Sequence, residues 1–165
     1  MWIPLKQMPE QSRIWIYQAN QRLSVEMESR VQAFLEEKIQ HWESHGATMK
    51  ASGELFYGQF VVIAADESYQ SPSGCSIDQS VNWMKELGTE LQVNFFDRSI
   101  NLLQEGEVVS ISLAMLKKAV EDSVIKPETI VFNHTISNLS QLEKCWMVPA
   151  KDSWLSRYFT LNKVS

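Results

Sequence analysis

With 165 residues, 44% of them hydrophobic and 10% aromatic, the chain can close a sizeable core, and its composition is neither disordered nor collagen-like. Its formal charge of −5 and pI near 5.2 argue against non-specific nucleic-acid binding, which needs clustered Lys and Arg to displace counterions from phosphates. No apolar run is long enough for a membrane span, and Met1-Trp2-Ile3-Pro4-Leu5-Lys6 lacks the charged start and apolar core of a signal peptide, so a cytoplasmic protein without membrane insertion is expected.

A single domain over 1–165 is the expectation, with 1–12 an extended N-terminal arm and 160–165 a mobile tail. Arg13-Ile14-Trp15-Ile16-Tyr17-Gln18 has the branched and aromatic content of a strand. Ser24 caps a long helix with Glu26 and Glu28 in its first turn and Met27, Val31, Phe34, Leu35, Ile39 and Trp42 along one stripe, stopped by Gly46. Thr48–Ser52 and Leu55–Ala65 then read as two strands joined by Gly53-Glu54, and Phe60–Ala65 is apolar on both faces, as a central strand would be.

After a Ser/Pro/Gly loop, Ile77, Val81, Met84 and Leu87 set the spacing of a second helix that ends near Gly88. Leu91–Phe96 and Ser99–Gln104 look extended, with Gly106 marking a turn. Ser112 caps a third helix through Val124, Ile130-Val131-Phe132 is a short strand, and a helix over Leu139–Cys145 precedes a final turn capped by Asp152 or Ser153. The β-α-β-β-α-β order of the first hundred residues predicts an α+β protein with a ferredoxin-like split core and a C-terminal α/β extension; a three-layer α/β fold is the alternative.

The run Ser73-Gly74-Cys75-Ser76-Ile77-Asp78 places a thiol at a helix start, where backbone N–H groups favour a thiolate or a bound anion. Cys75 and Cys145 lie far apart without CxxC spacing and are expected to be free thiols. If Ser76 is the cap, Asp78 sits in the first turn and stabilises the helix; alternatively Asp66, Glu67 and Asp78 face one another and hold a cation. His41 and His45 are four apart on the first helix, a spacing that offers two metal ligands or a base for Cys75, but two ligands do not make a zinc site and no metal is predicted. Arg98, beside Asp97, could hold a carboxylate or phosphate in two places. Gly53 to Gly58 has the glycine spacing of a P-loop, yet Gln59 and Phe60 stand where Lys and Ser or Thr are needed, so no nucleotide cofactor is expected.

The segments Ile14–Gln18, Phe34 with His41–Gly46, Phe60–Ile63 through Asp66-Glu67, Ser73–Asp78, Phe96-Asp97-Arg98, Val131-Phe132-Asn133 and Ser153–Arg157 together resemble an uncharacterised bacterial family. Its members are often labelled automatically as ABC transporter ATPases. The resemblance covers most of the chain and implies no particular activity or catalytic residues. The expected function is therefore a non-catalytic binding or interaction domain for a protein partner, a small ligand or a second copy of itself. The alternative is an enzyme or anion-binding site centred on Cys75, with His41, His45 and Arg98 as catalytic candidates and Asp66, Glu67, Ser73, Gly74, Ser76, Asp78 and Asp97 as ligand contacts.

Overall fold

The computed structural model describes residues 1–160; the tail expected over 160–165 lies, beyond Thr160, outside them. Helices and antiparallel sheets are mixed, as in an α+β protein, and among the described residues no helix is long and apolar enough to cross a membrane. The chain forms two compact units where one domain is expected from length. The first comprises Met1–Asp97 with Ser137–Ser140, and the second Arg98–Ile136 with the described residues from Gln141 on.

In the first unit, strand β1 (Arg13–Gln18) is followed by helix α1 (Val25–Gln40), the two-residue strands β2 (Glu43–Ser44) and β3 (Ala47–Thr48), then β4 (Ala51–Phe56), β5 (Phe60–Ala65) and helix α2 (Gly74–Leu91). The main sheet has the order β1-β5-β4 with both pairings antiparallel; Ala65 faces Arg13 on one side and Ala51 on the other. Side chains alternate across a strand. Tyr17, Val61, Ile63 and Ala65 therefore share a face, and they pack with Phe34, Leu35 and Ile39 of α1 and with Trp83, Met84 and Leu87 of α2. The even-numbered residues Phe60, Val62 and Ala64 are fully buried on the other face, as the uniformly apolar sequence anticipates.

Three hairpins turn on an X-Gly pair with positive φ at both residues: His45-Gly46 and Tyr57-Gly58 here, and Glu105-Gly106 in the second unit. That geometry matches the right-handed twist of the strands and favours glycine. The β4–β5 turn thus lies at Tyr57-Gly58, four residues beyond the expected Gly53-Glu54. Gly53 is instead inside β4, where a Cβ would come within 2.8 Å of Ile39 Cδ1 and 3.2 Å of Leu35 Cβ, so its missing side chain lets α1 lie close on the sheet.

The N-terminal residues are not an extended arm throughout. Ala51 donates to the Met1 carbonyl and Ile3 to the Ala51 carbonyl, extending the edge of β4, before a 3-10 turn at Leu5–Gln7. The fourth strand expected over Leu91–Phe96 does not form either. Helix α2 continues to Leu91, Gln92 adopts a left-handed conformation (φ 55, ψ 44), and the returning segment meets β1 at one parallel bridge between Gln18 and Phe96.

The second unit contains β6 (Ile100–Gln104), β7 (Glu107–Ile111), β8 (Ile130–Phe132) and β9 (Met147–Pro149), antiparallel in the order β7-β6-β8-β9. Leu102, Leu116, Ile125, Val131, Ala150 and Leu155 make its core. The expected helix from Ser112 to Val124 is a 3-10 turn, Leu113–Met115, followed by α3 (Leu116–Glu121), and Ser112 makes no side-chain cap. Helix α4 spans Leu139–Cys145, and the last helix, α5, Ser156–Thr160.

Gly88, inside α2, shows how closely the return is packed: a Cβ there would lie 2.6 Å from the Val93 carbonyl oxygen. Gly88→Ala gains roughly 1 kcal/mol of helix propensity but must displace backbone, an overpacking cost of about 1–3 kcal/mol, so net destabilisation is expected in urea unfolding. Gly74→Ala, where nothing lies within 4 Å, is the control and is expected to be stabilising by about 0.4–1 kcal/mol.

Candidate functional site

The Cys75 region is built as a helix start. Ser73, not Ser76, is the N-cap of α2: its Oγ accepts from the Ser76 N–H at 3.1 Å, while Ser76 Oγ accepts from the Ser73 N–H at 2.7 Å, a reciprocal capping box. Gly74 and Cys75 are the first two helical residues, and Cys75 is exposed. Asp78 falls beyond the first turn and is exposed, so the dipole role expected for it does not arise. Ser76 is buried, and its carbonyl accepts the indole N–H of Trp42 at 3.1 Å.

The neighbours of both histidines reach the start of α2, where Trp42 bonds the Ser76 carbonyl and Ser44 Oγ donates to the Ser71 carbonyl at 2.8 Å, but among the described residues no imidazole is hydrogen-bonded to Cys75. Helix α1 ends at Gln40, so His41 is its C-cap and His45 sits in the β2–β3 turn with φ 52; they share no helix face, and both are exposed. Asp66 is almost fully buried and accepts from the Ser68 N–H at 3.0 Å and the Ser68 hydroxyl at 2.6 Å. Glu67 pairs with Arg13 at 3.5 Å, in a half-exposed contact worth at most about 1 kcal/mol. Among the described residues no three His, Cys, Asp or Glu side chains form a group that could hold a metal ion. Asp97 accepts from Gln18 Nε2 at 2.9 Å and its N–H donates to the Gln18 carbonyl, so it pins the segment after α2 to β1. Arg98 is exposed and begins the second unit.

In the second unit, His134 Nδ1 accepts the indole N–H of Trp146 at 3.2 Å, and the two rings lie 6.3 Å apart. Burial lowers its pKa from 6.5 to about 4, so the imidazole is neutral with its proton on Nε2. A base this weak does not serve proton transfer near neutrality.

A groove of about 500 Å³ opens in the first unit where α2 ends. Buried Met84, Val93 and Phe95 make its floor, and Asn20, Lys85, Thr89, Gln92, Asn94 and Phe96 stand around it. Hydrogen bonds fix the walls. Asn20 Oδ1 accepts from the Asn94 N–H at 3.0 Å, the Asn20 N–H donates to the Asn94 carbonyl at 2.9 Å, and Asn94 Oδ1 accepts from the Phe96 N–H at 2.9 Å. Phe96 packs edge to face on Tyr17, with ring centres 5.7 Å apart, and keeps 41% of its surface exposed. Tyr17 is itself buried, its hydroxyl 3.3 Å from Ser80 Oγ, and burial raises its pKa above the usual phenol value.

None of these residues is a site candidate by sequence: Tyr17 and Met84 count there only as parts of a strand and a helix, and Phe96 only in the family resemblance. The sequence carries no signal for them, because the apolar-polar-apolar alternation of Val93-Asn94-Phe95 is that of an ordinary half-buried strand. No protein-family model, curated protein or solved structure matches the chain.

Removing the Ser73 cap by Ser73→Ala is expected to cost about 0.5–2 kcal/mol in urea unfolding, whereas Cys75→Ala, at an exposed site, should change stability by no more than about 0.5 kcal/mol. Between pH 6.5 and about 4 the unfolded chain binds a proton at His134 that the folded chain does not. The stability this residue contributes is therefore complete above pH 6.5 and declines as pH falls towards 4. Urea midpoints measured across that range should fall more steeply for the native chain than for His134→Gln; equal slopes would refute the assignment.

Proposed function

We propose that this protein acts by binding and not by catalysis, and that its ligand site is the groove at the C-terminal end of α2. The reading is carried by one observation: the side chains of Asn20 and Asn94 are locked in orientation by backbone N–H groups at the rim of a cavity with an apolar floor. Ligand sites are typically apolar hollows of this size with a few fixed polar groups. Preorganised walls lower the ordering cost of binding.

The first unit's order β1-β5-β4, with α1 and α2 both packed into one core, supports reading it as a split βαβ unit whose fourth strand is replaced by the segment 92–97. That replacement is what leaves Asn94 and Phe96 at a groove. The competing reading, chemistry at Cys75, has the solvent access that a reactive thiol needs but less support overall, because among the described residues no base is hydrogen-bonded to it.

Thr89 is exposed on α2 at the groove, so Thr89→Trp fills the site without disturbing the core. In a thermal-shift screen of a chemically mixed small-molecule panel, compounds that raise the melting temperature of the native chain should lose that effect in Thr89→Trp and keep it in Cys75→Ala. The reverse pattern would move the function to Cys75.

A further inference from the structure

Building on the binding reading of this groove, we propose that it takes a small planar monoanion: a flat ring carrying one carboxylate. The polar lining is one-sided. A side-chain amide has one acceptor oxygen and one amino group, and a backbone N–H can be accepted only by the oxygen. Asn20 Oδ1 is committed to the Asn94 N–H and Asn94 Oδ1 to the Phe96 N–H, so the orientation of both amides is settled and their amino groups are the parts left to meet a ligand. The rim therefore offers donors, which select acceptor oxygens.

Charge points the same way. Thirteen of the twenty acidic residues but only seven of the fifteen basic ones fall in the first unit, yet among the described residues no carboxylate lines this groove and Lys85 is its one charged side chain. An acid-free hollow on an acidic unit, with one ammonium and two amide donors, complements a carboxylate. Phe96, 41% exposed and braced on Tyr17, supplies a flat face for a ring, and Val93 and Phe95 lie beneath.

The end of α2 decides between one negative charge and two. The last carbonyls of a helix carry roughly half a negative charge, and the groove lies at that end. Two backbone N–H groups, from Gln92 and Val93, cap the Gly88 carbonyl, and Lys85, one turn earlier, brings a single positive charge to the groove. That balance accommodates a monoanion and disfavours a phosphate dianion.

The test uses benzoate, its neutral isostere benzamide and the cation benzylamine as probes, titrated into the full chain and followed by amide chemical shifts. Benzoate should bind most tightly and perturb the amides of Thr89, Asn94 and Phe96. Lys85→Gln should weaken benzoate about tenfold, the usual scale for losing a charge-assisted hydrogen bond, and leave benzamide unchanged. Phe96→Ala should weaken both. If benzamide or benzylamine perturbs the groove as strongly as benzoate, the anion preference is wrong while the groove stands as the site. If none of the three perturbs it, the binding reading falls as well.

Discussion

The first unit is organised around the indole of Trp42. It is fully buried and packs edge-on against Trp15 of β1 at 6.2 Å and Trp83 of α2 at 5.1 Å. Its N–H donates to the Ser76 carbonyl in the first turn of α2. Separating these parts would strand a buried donor, at a cost of about 1–3 kcal/mol, in addition to breaking the aromatic contacts. One side chain thus ties together β1, the end of α1 and the start of α2, and from that anchor α2 runs 18 residues, about 27 Å at 1.5 Å per residue. The capped start with Cys75 and the groove are consequently at opposite ends of one rigid rod. From Cys75 to Thr89 the helix rises about 21 Å, too far for the thiol to act on anything held in the groove.

What could be read from the sequence follows from how many jobs each residue has. Ser24, the apolar stripe of α1 and the uniformly apolar β5 each answer to a single local rule, and those elements lie where the pattern places them. Gly53 and Gly58 look alike in sequence but answer to different demands. The first is bare because α1 presses on the sheet, and the second because a hairpin needs positive φ. Trp42 misled in a related way. It continues the 3.6-residue spacing of α1, but it reaches the same core from beyond the helix end, and that coincidence carried His41 and His45 into a helix that had already stopped at Gln40.

The candidate site was harder to see because its residue types are not reactive. Attention to Cys, His and paired carboxylates selects groups by their chemistry in isolation, and in this fold the side chains of Ser73, Ser76 and Asp66 hold backbone N–H groups while that of Asp97 holds the Gln18 amide. Asn20 and Asn94 hold backbone too. They differ in having a second polar group left over, and a side-chain amide can brace a wall with its oxygen while presenting its nitrogen. Net charge was similarly blunt. A value of −5 for the whole chain conceals that most of the acid belongs to one unit, and only against that background does an acid-free groove stand out.

As an edge strand of the three-stranded sheet β1-β5-β4, β1 has an outer edge open to unwanted pairing, a hazard that sheets must suppress. Here two short segments block it from its two ends. Ile14 donates to the Ser137 carbonyl and Arg13 bridges Asn138 at one end, while Gln18 bridges Phe96 and bonds Asp97 at the other. A continuous strand would protect the edge equally well, but it would direct alternate side chains of residues 92–97 into the core and against the sheet's far face. Two local clamps achieve the protection with fewer constraints. The residues between Gln92 and Asp97 are then free to curve around the end of α2, where Val93 caps Gly88 and Asn94 meets Asn20. The groove is in this sense the consequence of closing a sheet edge without a strand, because regular pairing of residues 92–97 along β1 would straighten the segment that curves around the end of α2.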